Sequence, residues 1–584
     1  MAFAGSSYAL TRTPQDLGLG AAGLGLLSHI IFKTFEPSVF GFLSWLGALS
    51  TAICYLTNKN ADTLSLGTLS VLPTVLFMTV YLAALSLSIG VYRLFLNPLR
   101  HFPGDTLPAL TKWQSFYIAK EGKVHHYLWA QHKKYGDYIR VGPNEISVAD
   151  ASALPVIHGA LSKFNKGPWY WKNSNEAEPG LFSLLDYNKH KQRRKAWDAA
   201  FQPKALKTYE PRMLQALDAL CNKLDGFAEK GELVNLGDWI EYFAFDIMGD
   251  LGFGTSFHML ESGESHHYVE FVHVAFKYIS SLGNVSWIIP LAGLVPLDQK
   301  TKQQFATFFN FSRKQFLARR EQGPVKRDVF GFLLAAKEEG SDYQLTDAEL
   351  ESDARAVILG GGDTTAVLQS YVTETASTFA FFGSTNRPTN RTIFFYLTRY
   401  PKAYANLKKE VQGLFKDGKY DAAHLGDPSR APYLNACINE ALRLIPPGPN
   451  GMQRVVNTPG GIVLDDKWIP EGTKISVHGW SVMHDPRYFA QPLEFIPERW
   501  IEDSGFKGVH NKAAFIPFSQ GVYQCAGRKL ALQEARMFTV RMLQKYDFKI
   551  APDFDPKAYI DRTESYLSIT KEPLPMYISK SAAS

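Results

Sequence analysis

Between Asp62 and Arg93 the chain carries no charged side chain. The apolar stretch from Leu66 to Leu96 can cross a bilayer with tilt, since about 20 apolar residues suffice. That stretch fixes the first decision about the fold: the N-terminal part belongs in a membrane. Two further apolar stretches precede it, Leu17 to Phe32 and Val39 to Leu56. The second is borderline for a span, and the glycine-rich first fits a span, an interfacial helix or part of a signal-anchor. Arg93 stands in the last turn of the third stretch, and Arg100, His101 and Lys112 follow. Basic residues flank spans on the cytoplasmic side, so everything downstream is expected in the cytosol. With one span or three, the N-terminus then faces the lumen, and the endoplasmic reticulum membrane is the expected location. Gly18-x-Gly20-x-x-Gly23 matches the dinucleotide fingerprint, but no strand precedes it and no acidic residue sits at the required distance. Small residues packing between membrane helices is the better reading.

The segment Asn97-Pro98-Leu99-Arg100-His101-Phe102-Pro103-Gly104 ends the apolar region with two prolines and a glycine, a stiff non-helical hinge. Residues 1–104 are thus expected to form the anchor, with up to three spans, and residues 105–584 one large domain. Hydrophobic residues at 46% and charged ones at 20% allow a large core and exclude global disorder. The net charge of +6 is too small to suggest nucleic acid, and no basic run interleaved with aromatics supports it. Cys54, Cys221, Cys437 and Cys525 form no C-x-x-C pair. That argues against a disulfide scaffold or a tetrahedral zinc site and fits a reducing compartment.

The most specific segment is Phe515-Ile516-Pro517-Phe518-Ser519-Gln520-Gly521-Val522-Tyr523-Gln524-Cys525-Ala526-Gly527. A glycine-punctuated loop leads into a cysteine, and Leu530, Ala531, Ala535, Phe538 and Met542 then recur at helical spacing. The cysteine is placed at a helix N-terminus, where the dipole and free backbone N–H groups stabilise a thiolate. Gly521 and Gly527 let the backbone approach a flat cofactor. The bland alternative is a buried, inert cysteine.

This F-x-x-G-x-x-x-C-x-G pattern resembles the haem-binding signature of the cytochrome P-450 family. The resemblance implies haem b (iron protoporphyrin IX) with the Cys525 thiolate as iron ligand, its electron donation favouring O–O cleavage, and Phe518, Gly521 and Gly527 around it. At one position the chain departs from the family. Two residues before the cysteine the family usually has Arg or His directed at a haem propionate, and here stands Tyr523, which carries no positive charge.

Further motifs follow the family order. Glu440 and Arg443, at i, i+3 on one helical face, resemble with Arg499 of Phe495-Ile496-Pro497-Glu498-Arg499-Trp500 the family's buried Glu-Arg-Arg cluster. Its role would be structural, since removing one partner of such a cluster is costly. Arg454 matches a position that often reaches a propionate. The basic run His190-Lys191-Gln192-Arg193-Arg194-Lys195-Ala196-Trp197 supplies His190, Arg194 and the Trp197 indole as further propionate candidates. Its lysines read better as a surface stripe, which could dock an acidic reductase. Gly360-Gly361-Gly362-Asp363-Thr364-Thr365 matches the family's distal motif. Glycines in a helix cost roughly 1 kcal/mol each against alanine, so three suggest a groove where O₂ needs space beside the backbone. Asp363 and Thr364 become the acid–alcohol pair for proton delivery; a helix break with an Asp N-cap is the alternative. No G-K-[ST] follows, which excludes a phosphate loop.

After the Thr pair the resemblance implies a short continuation to the turn at Tyr400-Pro401, but Ala366 to Arg399 is much longer. Removing Tyr371 to Arg391 joins Ser370 to Thr392 and restores the expected length. The excised piece contains Gly383 and Pro388 and lacks a continuous helical face. Ser370-Tyr371-Val372 can encode a splice donor, and Thr389-Asn390-Arg391 a branch-like sequence with an acceptor. Residues 371–391 are therefore read as a retained intron, with a genuine surface insertion as the alternative.

These readings predict a mainly α-helical cytochrome P-450 fold with small β-sheets, preceded by N-terminal transmembrane helices. The implied activity is insertion of one oxygen atom of O₂ into a lipophilic small molecule, with electrons from NADPH through a separate membrane-bound cytochrome P-450 reductase. Retention of Asp363 and Thr364 argues against the competing haem-thiolate isomerase or dehydratase. The apolar segment Tyr278 to Leu297, with Trp287, Ile288, Ile289, Pro290 and Leu291, can line an entrance dipping into the bilayer. The hinge resembles fungal members, and the expected substrates are secondary metabolites such as terpenoids.

Overall fold

The computed structural model describes residues 14–58, 71–171, 179–292, 299–325, 328–338, 345–369, 393–414, 422–427, 429–569 and 573–581. Three apolar helices open it: α1 (Pro14–Thr34), α2 (Val39–Asn58) and α3 (Leu72–Val91). Each is long and apolar enough to cross a membrane, the third through a π-helical turn, Tyr92–Leu96. Helices α1 and α3 run parallel: Gly25 lies against the Tyr81 and Leu85 backbone, His29 Nδ1 is 2.7 Å from Ser88 Oγ, and Lys33 Nζ sits 4.1 Å over the Tyr92 ring. That is the arrangement three successive crossings require. A Cβ at Gly25 would come within 2.8 Å of the Tyr81 carbonyl oxygen, whereas Gly18, Gly20 and Gly23 face open space. Close packing expected at the glycine fingerprint is therefore made by Gly25 and the buried Ala21 instead. Inside the bundle Trp45 Nε1 donates to Tyr81 Oη (3.0 Å), which donates to Ser28 Oγ (3.1 Å).

The hinge is tied to the body. The Asn97 side chain accepts from the Leu99 N–H at 2.7 Å, Arg93 Nη1 donates to the Leu110 carbonyl at 2.6 Å, and Arg140 Nη1 donates to the Arg93 carbonyl at 2.7 Å. Gly104, at φ +157°, lies where a Cβ would be 2.5 Å from the Arg140 carbonyl oxygen, so the turn needs a glycine.

Helices dominate the body. Leu236–Phe253 is rich in apolar residues and is buried almost throughout, Glu241 and Asp246 included, as an interior helix. The glycine helix, Asp347–Gln369, packs along it and against Arg528–Lys545, which follows the cysteine. Among the described residues ten short strands form small sheets: β1 (Tyr138–Gly142), β2 (Glu145–Val148), β3 (Asn165–Lys166), β4 (Leu233–Asn235), β5 (Arg454–Val455), β6 (Ile462–Leu464), β7 (Lys467–Ile469), β8 (Lys474–Val477), β9 (Tyr546–Ile550) and β10 (Pro575–Lys580). The largest sheet has the order β1-β2-β8-β5-β3, beside a β4-β10-β9 sheet and the β6-β7 hairpin. Antiparallel pairing of β3 with β5 sets Lys166 opposite Arg454. The fold is mainly α with small β-sheets, as expected from the sequence. The glycine helix ends at Gln369 and the next described helix is Ile393–Arg399, leading to Tyr400-Pro401; the suspected insertion at 371–391 lies outside the described residues.

Candidate active site

Cys525 stands at the end of a tightly closed loop. Its N–H donates to the Phe518 carbonyl at 2.9 Å and the Gln524 N–H to the Gly521 carbonyl at 3.1 Å. Gly527 caps the helix that starts at Arg528, so the cysteine lies just ahead of the helix rather than in its first turn. Burial pushes the Cys525 thiol up. The N–H groups of Gly527 and Arg528 and the charges of Arg194 and Arg528 act against that and favour the thiolate. Closely surrounded as its thiol is, Cys525 is solvent-exposed as a residue, whereas Cys221 and Cys437 are buried thiols that burial pushes up. Gly521 has a reason other than the expected one. At φ +69° a Cβ there would come within 2.1 Å of the His158 carbonyl oxygen, so it seats the loop on the His158–Gly159 backbone. Gly527 faces open space, as approach to a flat group requires.

Beside this loop, buried positive side chains converge. Arg454 places Cζ 4.5 Å from the Tyr523 ring centroid, Lys166 places Nζ 5.0 Å from it, and the His190 ring lies 4.6 Å away. Arg194 donates from Nη1 to the Gln524 carbonyl at 2.6 Å and from Nε to Asp198 at 2.8 Å. Burial, with Lys166, Arg194 and Arg454 around it, pushes the His190 imidazole down to about 2. Among the described residues Lys166 and Arg454 form no ion pair, and Arg454 Nε, His190 Nδ1 and Tyr523 Oη are buried without a hydrogen-bond partner. Two buried cations without a carboxylate, Lys166 and Arg454, with unpartnered donors beside them, fit a dianionic group such as the two propionates of haem. The donor set beside the cysteine therefore suits the prosthetic group that the sequence implies.

One expected member of this set is turned elsewhere. The Trp197 indole N–H donates to Asp353 Oδ2 at 2.9 Å, alongside Arg193 Nε at 2.9 Å. Trp197 and Arg193 thus clamp their helix, Tyr187–Ala200, to the glycine helix, and the indole N–H is not available to a propionate. Lys166 and Arg193 were both missed in the sequence. Lys166 was detectable only as a lone lysine before Gly167-Pro168-Trp169 in a chain lacking a cation at position 523.

In the glycine helix the three glycines have different neighbours. A Cβ on Gly361 would meet Met248 at 2.2 Å and one on Gly362 would meet Phe245 at 2.7 Å, whereas Gly360 has open space. Two of the three let the helix lie close to Leu236–Phe253, and Gly360 alone faces open space. The Thr364 hydroxyl donates to the Gly360 carbonyl oxygen, on that open face. Asp363 lies in the same helix, and its side chain is outside the described residues.

Glu440, Arg443 and Arg499 meet in one buried cluster. Glu440 accepts from Arg443 Nε and Nη2 (both 2.9 Å), Arg499 Nε (3.0 Å), the Ile496 N–H (3.0 Å) and Trp500 Nε1 (2.9 Å), with all three charged side chains fully buried. Burial would raise the Glu440 carboxyl, but Arg443 and Arg499 hold it below its ordinary value. Arg443 also donates to the carbonyls of Met483, Pro492 and Glu494, fixing the segment before Arg499.

A helical body presenting an exposed cysteine next to unneutralised cations suits a haem-thiolate protein. The sequence model described as "Cytochrome P450" matches residues 103–372 and 370–578, and the chain belongs to the cytochrome P-450 family. It is 31% identical to "Cytochrome P450 monooxygenase FCK2" of Fusarium pseudograminearum, over 90% of this chain and 91% of that one. To "Cytochrome P450 monooxygenase orf5" of Eupenicillium brefeldianum it is 33% identical, over 86% and 95%. "Cytochrome P450 67" of Uromyces fabae shares 30% identity, over 94% and 96%. The family implies a haem, a redox partner and a small-molecule substrate.

Proposed function

We propose that this chain inserts one oxygen atom of O₂ into a lipophilic small molecule, a secondary metabolite of terpenoid type, at haem b held by Cys525. The observation that carries this reading is the presentation of Cys525 by a closed loop at a helix N-terminus beside cations that lack a counterion. Bound haem would supply dioxygen activation, with thiolate donation favouring O–O cleavage. The protein's own contribution is positional. Phe518 and Gly521 shape the loop, Gly527 leaves the face of the thiolate open, and His190, Arg194 and Arg454 orient the carboxylates. The Thr364 hydroxyl and Asp363 would hold and pass protons beside the space left by Gly360. Glu440, Arg443 and Arg499 keep the segments behind the site in register.

Electrons come from NADPH through a separate membrane-bound cytochrome P-450 reductase. Lys189, Lys191 and Lys195 are exposed beside the Cys525 loop, which supports an acidic partner docking there. The anchor, residues 1–104, holds the catalytic domain, residues 105–584, on the cytosolic face of the endoplasmic reticulum. Exposed Trp287, in edge contact with Trp113 at 6.3 Å, supports a membrane-facing entrance. Residues 371–391 are read as a retained intron in the gene model. The test is co-expression of the chain with and without 371–391, together with a reductase, in a host fed candidate terpenoids under ¹⁸O₂. A product carrying one ¹⁸O, formed more abundantly by the shorter chain, supports the reading. A product with no labelled oxygen, or a mature transcript that retains the segment, removes the corresponding part.

A further inference from the structure

The family signature puts a cation two residues before the cysteine, and Tyr523 carries none. Its ring is nevertheless enclosed by positive charge. Lys166 is 5% exposed and lies across the β3–β5 pairing from Arg454, which is 1% exposed. Like charges directly opposite each other in a sheet are destabilising, and burial strengthens the repulsion. The Lys166 ammonium is aimed, not floating: Nζ donates to the carbonyls of Leu181 at 2.9 Å and Phe182 at 2.7 Å. No carboxylate is within ion-pair distance of it among the described residues, and Asp353, an acid that acts on it from further away, already serves Arg193 and Trp197. Burial first, and then Arg454, Arg194 and Arg193, hold the Lys166 amine well below its ordinary value, as an unneutralised cation should be. Tyr523 Oη and Arg454 Nε, buried and unpartnered, belong to the same cluster.

The geometry points to Lys166 as the residue that supplies the positive charge Tyr523 lacks, binding the haem carboxylates together with Arg454 while the Tyr523 hydroxyl donates a hydrogen bond to them. The cation then stands on a two-residue strand, its Nζ 5.0 Å from the tyrosine ring centroid, instead of in the cysteine loop. This rests on Cys525 holding haem, and the test separates the two. Holoprotein is prepared as wild type, Lys166→Met, Lys166→Arg and the double variant Lys166→Met with Tyr523→Arg. Haem transfer to excess apomyoglobin and the reduction midpoint potential are measured for each.

Loss of an anchoring partner of this kind costs about tenfold or more in retention of a metal group. Lys166→Met should therefore release haem at least about tenfold faster and have a lower midpoint potential, because less positive charge favours the reduced state less. Lys166→Arg should stay near wild type, and the double variant should recover most of both properties. Unchanged haem release in Lys166→Met overturns the proposal, as does faster release that Tyr523→Arg fails to reverse, which would mark Lys166 as support for the Leu181–Phe182 backbone alone. A Lys166→Met chain that does not fold leaves the double variant as the test: its recovery of haem sustains the exchange of charge, and its failure overturns it. A wild-type protein that binds no haem defeats the underlying reading instead.

Discussion

Glu440–Arg443–Arg499 and Lys166–His190–Arg454 are both buried, both basic, and both assembled from segments far apart in the chain. In the first, one carboxylate accepts from each guanidinium, and carbonyl oxygens take further N–H groups. In the second, cations face a tyrosine and one another with no carboxylate paired to them; a buried guanidinium nitrogen is left over in each, Arg499 Nη1 in the first and Arg454 Nε in the second. A closed cluster of charges fixes a fold, and one that lacks its counterion is built to receive it. Residue type alone would assign both to the same role; the pairing separates them.

The largest effect expected from breaking this contrast is at Glu440. Glu440→Ala leaves two buried guanidiniums without their carboxylate and should destabilise the body by about 3–5 kcal/mol, read as a collapse of the denaturation midpoint with or without haem. Gly521→Ala should come next, because it forces a Cβ onto the His158 carbonyl at a positive φ. A cost of about 1–3 kcal/mol and a displaced Tyr523 would show as lower thermal stability together with faster haem loss. Arg454→Met should have opposite signs in the two states. The apoprotein gains on the order of 1 kcal/mol from relief of buried like-charge repulsion, while the holoprotein loses haem faster. Urea unfolding of both forms checks this, and destabilisation of the apoprotein would place Arg454 with the closed cluster.

Glu534 sharpens the comparison from the acidic side. It is fully buried, neither carboxyl oxygen has a hydrogen-bond partner, and burial pushes it from 4.5 up to about 8. The folded state therefore holds this proton more tightly than the unfolded chain. Its stabilising contribution is complete below about pH 4.5 and is lost as pH rises towards 8. Glu534→Gln should remove that slope, so its gain in melting temperature over wild type is larger at pH 9 than at pH 6. Equal gains at both pH values would contradict the assignment.

What the sequence disclosed follows from how local each signal is. The three apolar helices and the Cys525 loop are written in contiguous residues, and the Glu440–Arg443 pair in one helical turn. Lys166 escaped notice because its meaning arises only when a two-residue strand pairs with Arg454 in the opposite register. Trp197 was misjudged for a related reason: its helix face is shared with Arg193, and Asp353, far along the chain, takes both donors. The glycines show the same limit. Composition indicated room beside the helix at Gly360, Gly361 and Gly362, but only packing against Met248 and Phe245 shows which one remains open. In the anchor likewise, Gly25 rather than the fingerprint glycines meets another helix.

The most direct measurement is the carbon monoxide difference spectrum of the reduced full-length protein, taken alongside Cys525→Ser. The structure predicts the red-shifted band of a thiolate-ligated haem in the wild type. The variant should lose that band while its far-ultraviolet circular dichroism still reports a helical body. A wild-type chain without the band, or a Cys525→Ser chain that keeps it, would contradict the assignment of Cys525 as the iron ligand.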